Sequence, residues 1–391
     1  MARGVRNKPT LATTNRTATG PRTVPLTDPR GHRLRFPIDI GGAHVHSRDA
    51  NSVIFIPHCR FWTHSKENDD ADASWREDAE TSDCFKTSYA YNMIGEEHPR
   101  IVPGVTGVIG QDAWTGLPIL QKPLYSNLWH FLGNYDSQLF TPQEGFAPPT
   151  RRLKLEFRPL AYQWSLQLLS ALSLIHSRGI AYGEIIEESC WITAGSLSIA
   201  LTGFSVSDFH DPSTGLNLPG HFFSGIEFSP QNLPLKRAVR YLTRKTDMFM
   251  FGRLVYELMT SYLPGNGIGR DWGETERLMA EQDWMPDLED DFMGKIVHKC
   301  WNFEYEDVEE LQSEVQAFVE AQGWSIRGDE LEGFDAHSIQ HELEANFVPE
   351  KEEQASISYS LWELFRRFKF SIEKPHSCVT SSPCPPYASL F

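Results

Sequence analysis

Apolar positions change period several times along the chain, and each period names an element. From Ala161 to Arg178, Trp164, Leu168, Ala171, Leu172 and Ile175 fall at i, i+4, i+7, i+8 and i+11. That spacing predicts one apolar face of an α-helix. Ser177-Arg178-Gly179 closes it with a cation in the last turn and a glycine free to take positive φ. Two short apolar runs follow, Cys190 to Ile192 and Leu197 to Leu201, with Ala194-Gly195-Ser196 between them, which is hairpin spacing. Upstream, Arg33 to Ile56 alternates and then runs apolar, predicting strands, and Leu117 to Leu120 predicts another. Helices are predicted at Cys84 to Ile94, from Asn127 onward, and at Lys245 to Thr260, which is apolar on nearly all sides and so expected to be buried. A last helical face is formed by Ile357, Leu361, Leu364, Phe365, Phe368 and Ile372.

The order helix, short loop, hairpin, then Thr202-Gly203-Phe204 resembles the core of the eukaryotic protein kinases. His98-Pro99-Arg100-Ile101-Val102 is similar to their H-P-N-I-V turn. The run Asp247, Gly252, Glu257, Leu258 resembles S-D-V-W-S-F-G-x-x-x-x-E-L, and Cys300-Trp301 resembles a late C-W pair. The resemblance covers about residues 33 to 325 and implies an α+β, bilobal protein-kinase-like fold. A small β-rich lobe would span 33–122 and a larger, mainly helical lobe 123–325. Residues 1–32 are expected to form a disordered basic tail, and 326–391 an acidic linker (328–353), the helix at 357–372 and a disordered end.

The departures from the family pattern bear on chemistry. A kinase catalytic loop reads H-R-D-L-K-P-x-N, its Asp taking the hydroxyl proton and its Asn holding magnesium, and a D-F-G supplies a second metal ligand. In the matching register Glu184 stands at the base position, one methylene longer than Asp. Ile186 replaces the loop lysine and Ser189 the asparagine. Leu201-Thr202-Gly203 takes the place of D-F-G, and leucine offers magnesium no oxygen. Of the phosphate-covering glycine loop only Gly41 and Gly42 remain, Phe55 stands where the phosphate lysine belongs, and its glutamate partner falls near Ser88. Gln121 opens the expected hinge. Phe204 to Leu235 is expected to be a loop-like activation segment. Within it Gln231 replaces a glutamate whose arginine partner has become Val308, so both members of a buried pair are gone together. Asp247 is expected to support the catalytic-loop backbone, Gly203 to follow the hairpin, and Gly252 to allow close helix packing.

The net charge of −16, with 52 Asp and Glu against 36 Lys and Arg, argues against a general nucleic-acid or anionic-membrane binder. No apolar run reaches the ~18 residues of a membrane span. Six cysteines without a C-x-x-C pair, and the absence of a secretory h-region, point to free thiols in a reducing compartment, cytoplasmic or nuclear. His44, His46, His58, Cys59 and His64 fit no zinc spacing and are expected to be scattered. Glu67 to Asp83 is strongly acidic and reads as an inserted loop.

These departures imply a pseudokinase, an interaction or allosteric module on a kinase fold, with no cofactor expected and a protein partner. Helix 357–372 is a candidate docking element. Two other readings stay open. A divergent active Ser/Thr kinase would transfer the ATP γ-phosphate with Glu184 as base, with Mg and a shifted metal ligand at Asp208. A nucleotide sensor without transfer would need a cation from Arg60, Lys66 or Lys86.

Overall fold

The alternating run forms strands from Ile38 because its side chains can point to two sides of a pleat. In the computed structural model the described residues lie between 38 and 347, apart from 41–42, 48, 50, 58–70, 105–109, 112–117, 123–124, 143–150, 184, 223–226 and 266–272. Strands β1 (Ile38–Ile40), β2 (Ala43–Ser47), β3 (Ser52–Pro57), β4 (Gly110–Gln111) and β5 (Pro118–Gln121) make one antiparallel sheet in the order β1-β2-β3-β5-β4. Val45 pairs with Phe55, and Ile54 with Ile119. Helix α1 (Ala71–Ile94) packs on β3 and β5. It starts well before the expected Cys84. The acidic stretch read as a loop is helical from Ala71, because its Ala, Glu and Arg residues favour helix.

A second, three-stranded sheet has the order β6-β7-β8, from β6 (Ser126–Asn127), β7 (Cys190–Ile192) and β8 (Ile199–Leu201). Asn127 caps α2 (Leu128–Leu139) by accepting from His130 N at 2.9 Å. Helix α3 (Arg158–Ser177) runs into the loop before β7. The expected loop after Phe204 contains a hairpin, β9 (Phe209–Asp211) with β10 (Leu216–Leu218). Asp211 accepts from Ser213 and Thr214 and shapes its turn.

Helices α4 (Arg244–Thr260), α5 (Glu274–Gln282), α6 (Gly294–Trp301) and α7 (Val308–Ala321) build the helical core with α3. Thr243 and Thr246 cap α4 reciprocally. Its side chains from Thr246 to Thr260 are buried on every face, as the all-round apolar pattern requires. A Cβ on Gly252 would lie 2.8 Å from the Cys300 Cβ, so glycine sets the approach of α4 to α6.

The acidic stretch expected to be a linker from residue 326 is folded through Ala345. It forms hairpin β11 (Ile326–Arg327) with β12 (Glu330–Leu331), then α8 (Ala336–Ala345). Ala336 and Leu343 are buried, which is the reason an otherwise polar helix holds. The chain divides after Ala345. The 1–32 tail and the 357–372 helix lie outside the described residues. The architecture is α+β. Among the described residues no helix is long and apolar enough to cross a membrane.

Candidate functional site

The loop between α3 and β7 is held from below by α4. The Asp247 carboxylate is fully buried; Oδ2 accepts from Tyr182 N at 2.7 Å and His176 Nε2 at 2.8 Å, and Oδ1 accepts from Gly183 N at 2.7 Å. One carboxylate thus satisfies two backbone donors and a ring that would otherwise be buried without partners. Gly183 has φ +85°, and a Cβ there would come within 2.5 Å of Leu242 Cδ1, so glycine fits the turn. The structural role expected of Asp247 is visible in these contacts.

Tyr182 continues the support upward. Its hydroxyl donates to Thr202 O at 2.7 Å, and its carbonyl accepts from Ser207 Oγ at 2.7 Å. Its ring meets Phe204 edge-on at 5.3 Å, and Phe204 meets Tyr91 of α1 edge-on at 5.4 Å. Phe204 N donates to Thr87 Oγ1 at 3.3 Å, and the Tyr91 hydroxyl donates to Val102 O. A continuous row of aromatic rings therefore joins α1 to the Asp247-supported loop. Such pairs add about 0.5–1.5 kcal/mol each beyond area burial. The sequence reading did not single out Tyr91 or Phe204 for this row.

Between the two sheets the space is apolar. Val45, Val53, Ile54 and Leu120 of the larger sheet, with Cys84 and Val102, form one buried cluster with Trp191 of β7 and Ala200 of β8. Trp191 is 1% exposed, and its indole N–H has no partner among the described residues. Leu201 is fully buried, pairs with Cys190, and is clamped by the turn at 100–102: Leu201 N donates to Arg100 O, and Val102 N to Leu201 O, both at 2.9 Å. Ser189 is also fully buried. Its hydroxyl donates to Ile186 O at 2.9 Å and accepts from Ile186 N at 3.3 Å. Glu184, Gly41 and Gly42 lie outside the described residues, and Phe55 is described only in its backbone pairing with Val45. Gln121 is exposed, its N–H donating to Pro103 O. Gly203, at φ +80°, makes the turn into Phe204.

The remaining candidates are dispersed. The Asp208 backbone pairs with Ala181, its carboxylate accepts from Gly220 N at 2.8 Å, and it lines a groove with Gly179, Leu242 and Thr243. Lys86 is buried and donates to Pro219 O at 2.7 Å, with Asp83 at 2.9 Å. Arg60 and Lys66 lie outside the described residues, as do His58, Cys59 and His64. Val308 is fully buried and Gln231 exposed, so the replaced pair leaves no stranded charge. Among the described residues no three His, Cys, Asp or Glu side chains converge as metal ligands.

Two features escaped sequence reasoning. Beneath the loop, buried Arg253 and Glu257 pair at 2.8 Å, with Glu187 and Glu188 close by. Burial pushes the Glu257 carboxyl up to about 7, against the pull of Arg253. Burial, with Glu257 and Glu188 as neighbours, drives Glu187 upward as well. The second is a strap from the folded acidic stretch. Asp329 binds Arg100 at 2.9 and 2.7 Å, and Glu330 binds it at 2.6 Å. Gln340 accepts from Gly195 N, Glu344 accepts from Tyr125 OH, and Leu331 N donates to Gln163 Oε1. The spacing of Ala336, Ile339 and Leu343 was a signal for α8. No family model and no curated protein matches this sequence.

Proposed function

We propose that this chain is a degenerate member of the protein-kinase superfamily, with a bilobal fold, that works as a pseudokinase interaction or allosteric module. The observation that carries the reading is the apolar cluster joining the two sheets, where Trp191 and Ala200 pack against Val45, Val53 and Leu120. On this reading that junction is where a nucleotide base would lie, and indole occupies it. The aromatic contacts of Phe204 suit the D-F-G phenylalanine, whose packing distinguishes kinase states. The metal-ligand position then falls on Gly203 rather than Leu201, and glycine has no side chain to offer an ion. Ser189 is engaged by its own loop. Phosphoryl transfer depends on positioned charge and metal, and neither Ser189, Gly203 nor Leu201 supplies a free anionic oxygen. What supports an allosteric rather than inert role is the preserved scaffold, namely Asp247 under the loop and the Tyr91–Phe204–Tyr182 row linking it to α1.

The active-kinase alternative rests on Asp208, whose Oδ2 accepts from Gly220 N, and on Glu184, which lies outside the described residues. The sensor alternative had Lys86 as a candidate, and that ammonium is taken by Asp83 and Pro219. Thermal unfolding with and without ATP and magnesium tests all three. An unchanged Tm supports the pseudokinase. A magnesium-dependent rise supports an active site, and a magnesium-independent rise supports the sensor, since ligand binding to the native state raises stability by mass action.

A further inference from the structure

The face before α4 inverts the charge of the whole protein. Between Glu227 and Asp247 there is no acidic residue, while Lys236, Arg237, Arg240, Arg244 and Lys245 fall within ten positions. Two of these cations are engaged: Arg237 by Asp283 at 2.5 Å and by Asn302 at 3.1 Å, and Lys245 by Glu306 at 3.1 Å. Lys236, Arg240 and Arg244 are exposed and have no acidic partner among the described residues. The same segment presents the most exposed large apolar side chains of the described protein, Leu235 at 91% and Tyr241 at 75%. The same segment lines a groove of about 390 Å³ through Leu242, Thr243, Arg244 and Lys245, with Gly179, Ala181 and Asp208 at its wall. Asp208, the one acid there, is turned to Gly220 N.

We propose that Leu233 to Lys245 is a docking surface for an acidic peptide segment of a protein partner, anchored by an apolar side chain. Unpaired cations beside exposed Leu and Tyr match a ligand that alternates carboxylates with an apolar anchor, because complementary charge sets orientation while a buried apolar residue supplies affinity. A nucleic acid or anionic bilayer needs a broad basic field, and a body of net charge −16 opposes both. The assignment does not depend on the cleft being closed, so it stands or falls separately from the pseudokinase reading.

Fluorescence anisotropy of the full chain with a labelled peptide of glutamates around a central Leu-Phe pair tests it. Saturable binding that weakens with salt is expected. Lys236→Ser, Arg240→Ser and Arg244→Ser together should weaken it about tenfold or more. Leu235→Ser with Tyr241→Ser should also weaken it, leaving the salt slope unchanged. All five residues are exposed, and an unchanged Tm confirms folding of each variant. Equal affinity of the triple variant overturns the proposal, as does equal binding of an all-glutamate peptide. Tighter binding to duplex DNA, or to phosphatidylcholine vesicles containing phosphatidylserine, overturns the choice of a protein partner.

Discussion

Trp191→Ala should separate packing from polarity at the junction of the two sheets. Trp191 is 1% exposed and lies in one cluster with Val45, Val53, Leu120 and Ala200. Truncating a buried aromatic residue to alanine costs about 3–5 kcal/mol in lost transfer energy and cavity. Trp191 also buries an indole N–H with no partner among the described residues. Such an unsatisfied donor is worth about 1–3 kcal/mol of destabilisation, which the substitution relieves. Taking the middle of each range, the net expected loss for Trp191→Ala is therefore about 2 kcal/mol. Trp191→Phe keeps a ring in the cluster and removes the orphaned donor. Its smaller apolar area costs about 1 kcal/mol, offset by the relieved N–H, so it should unfold within about 1 kcal/mol of the parent chain. Urea unfolding followed by far-ultraviolet circular dichroism measures both, with an unchanged m value showing that the compared states are the same. If alanine costs less than about 1 kcal/mol, or phenylalanine as much as alanine, Trp191 does not fill a packed junction and the reasoning fails.

Other consequences follow from the buried polar groups. Asp247→Ala leaves Tyr182 N, Gly183 N and His176 Nε2 without their acceptor and should cost about 3–5 kcal/mol in the same urea assay; a loss under about 1 kcal/mol would contradict the support role. Asp329→Ala removes the bidentate partner of Arg100 while Glu330 remains, so stability should fall by about 1–3 kcal/mol. Amide exchange at Ile101 and Val102 should then accelerate, and unchanged exchange there would refute the strap. For Glu257, burial raises the folded pKa to about 7, so the folded state holds a proton that the unfolded chain has released. Its stabilising contribution is complete below the ordinary glutamate range and fades as pH climbs through about 7, by about 3 kcal/mol. Glu257→Gln should flatten that decline between pH 5 and 8, roughly the window in which the buried carboxyl titrates; parallel curves for the two proteins would be inconsistent with a proton held at this site.

Much of the helical part was legible because its periods are strong. The face Trp164, Leu168, Leu172, Ile175 gave α3 to within three residues at each end, and the Ala194-Gly195-Ser196 break gave the β7–β8 hairpin. The all-round apolar run gave α4 and its burial. Acidity misled twice. The stretch before Cys84 and the stretch after residue 326 were read as loop and linker from charge, yet both fold. In α1 local propensity outweighs charge, and in α8 two buried apolar residues with Gln340 and Glu344 contacts hold an otherwise solvated helix. The residue types at Ser189 and Leu201 are read directly off the sequence, and under the proposed kinase register neither brings the carboxylate or amide oxygen that a metal ligand there would need. The site was not legible in what surrounds them. That Trp191 would bridge the sheets, that Phe204 would lie between Tyr91 and Tyr182, and that Asp329 would reach Arg100 all depend on contacts between distant parts of the chain.

On the pseudokinase proposal, the apolar junction at Trp191 takes the place of a bound nucleotide. Isothermal titration of the full chain with ATP, in the presence and absence of magnesium, tests it most directly. No saturable heat is expected at millimolar nucleotide, a ceiling equivalent to binding weaker than about 4 kcal/mol. A saturating isotherm strengthened by magnesium would contradict it, since that requires both space beside Trp191 and an anionic oxygen ligand, which none of Ser189, Gly203 and Leu201 carries.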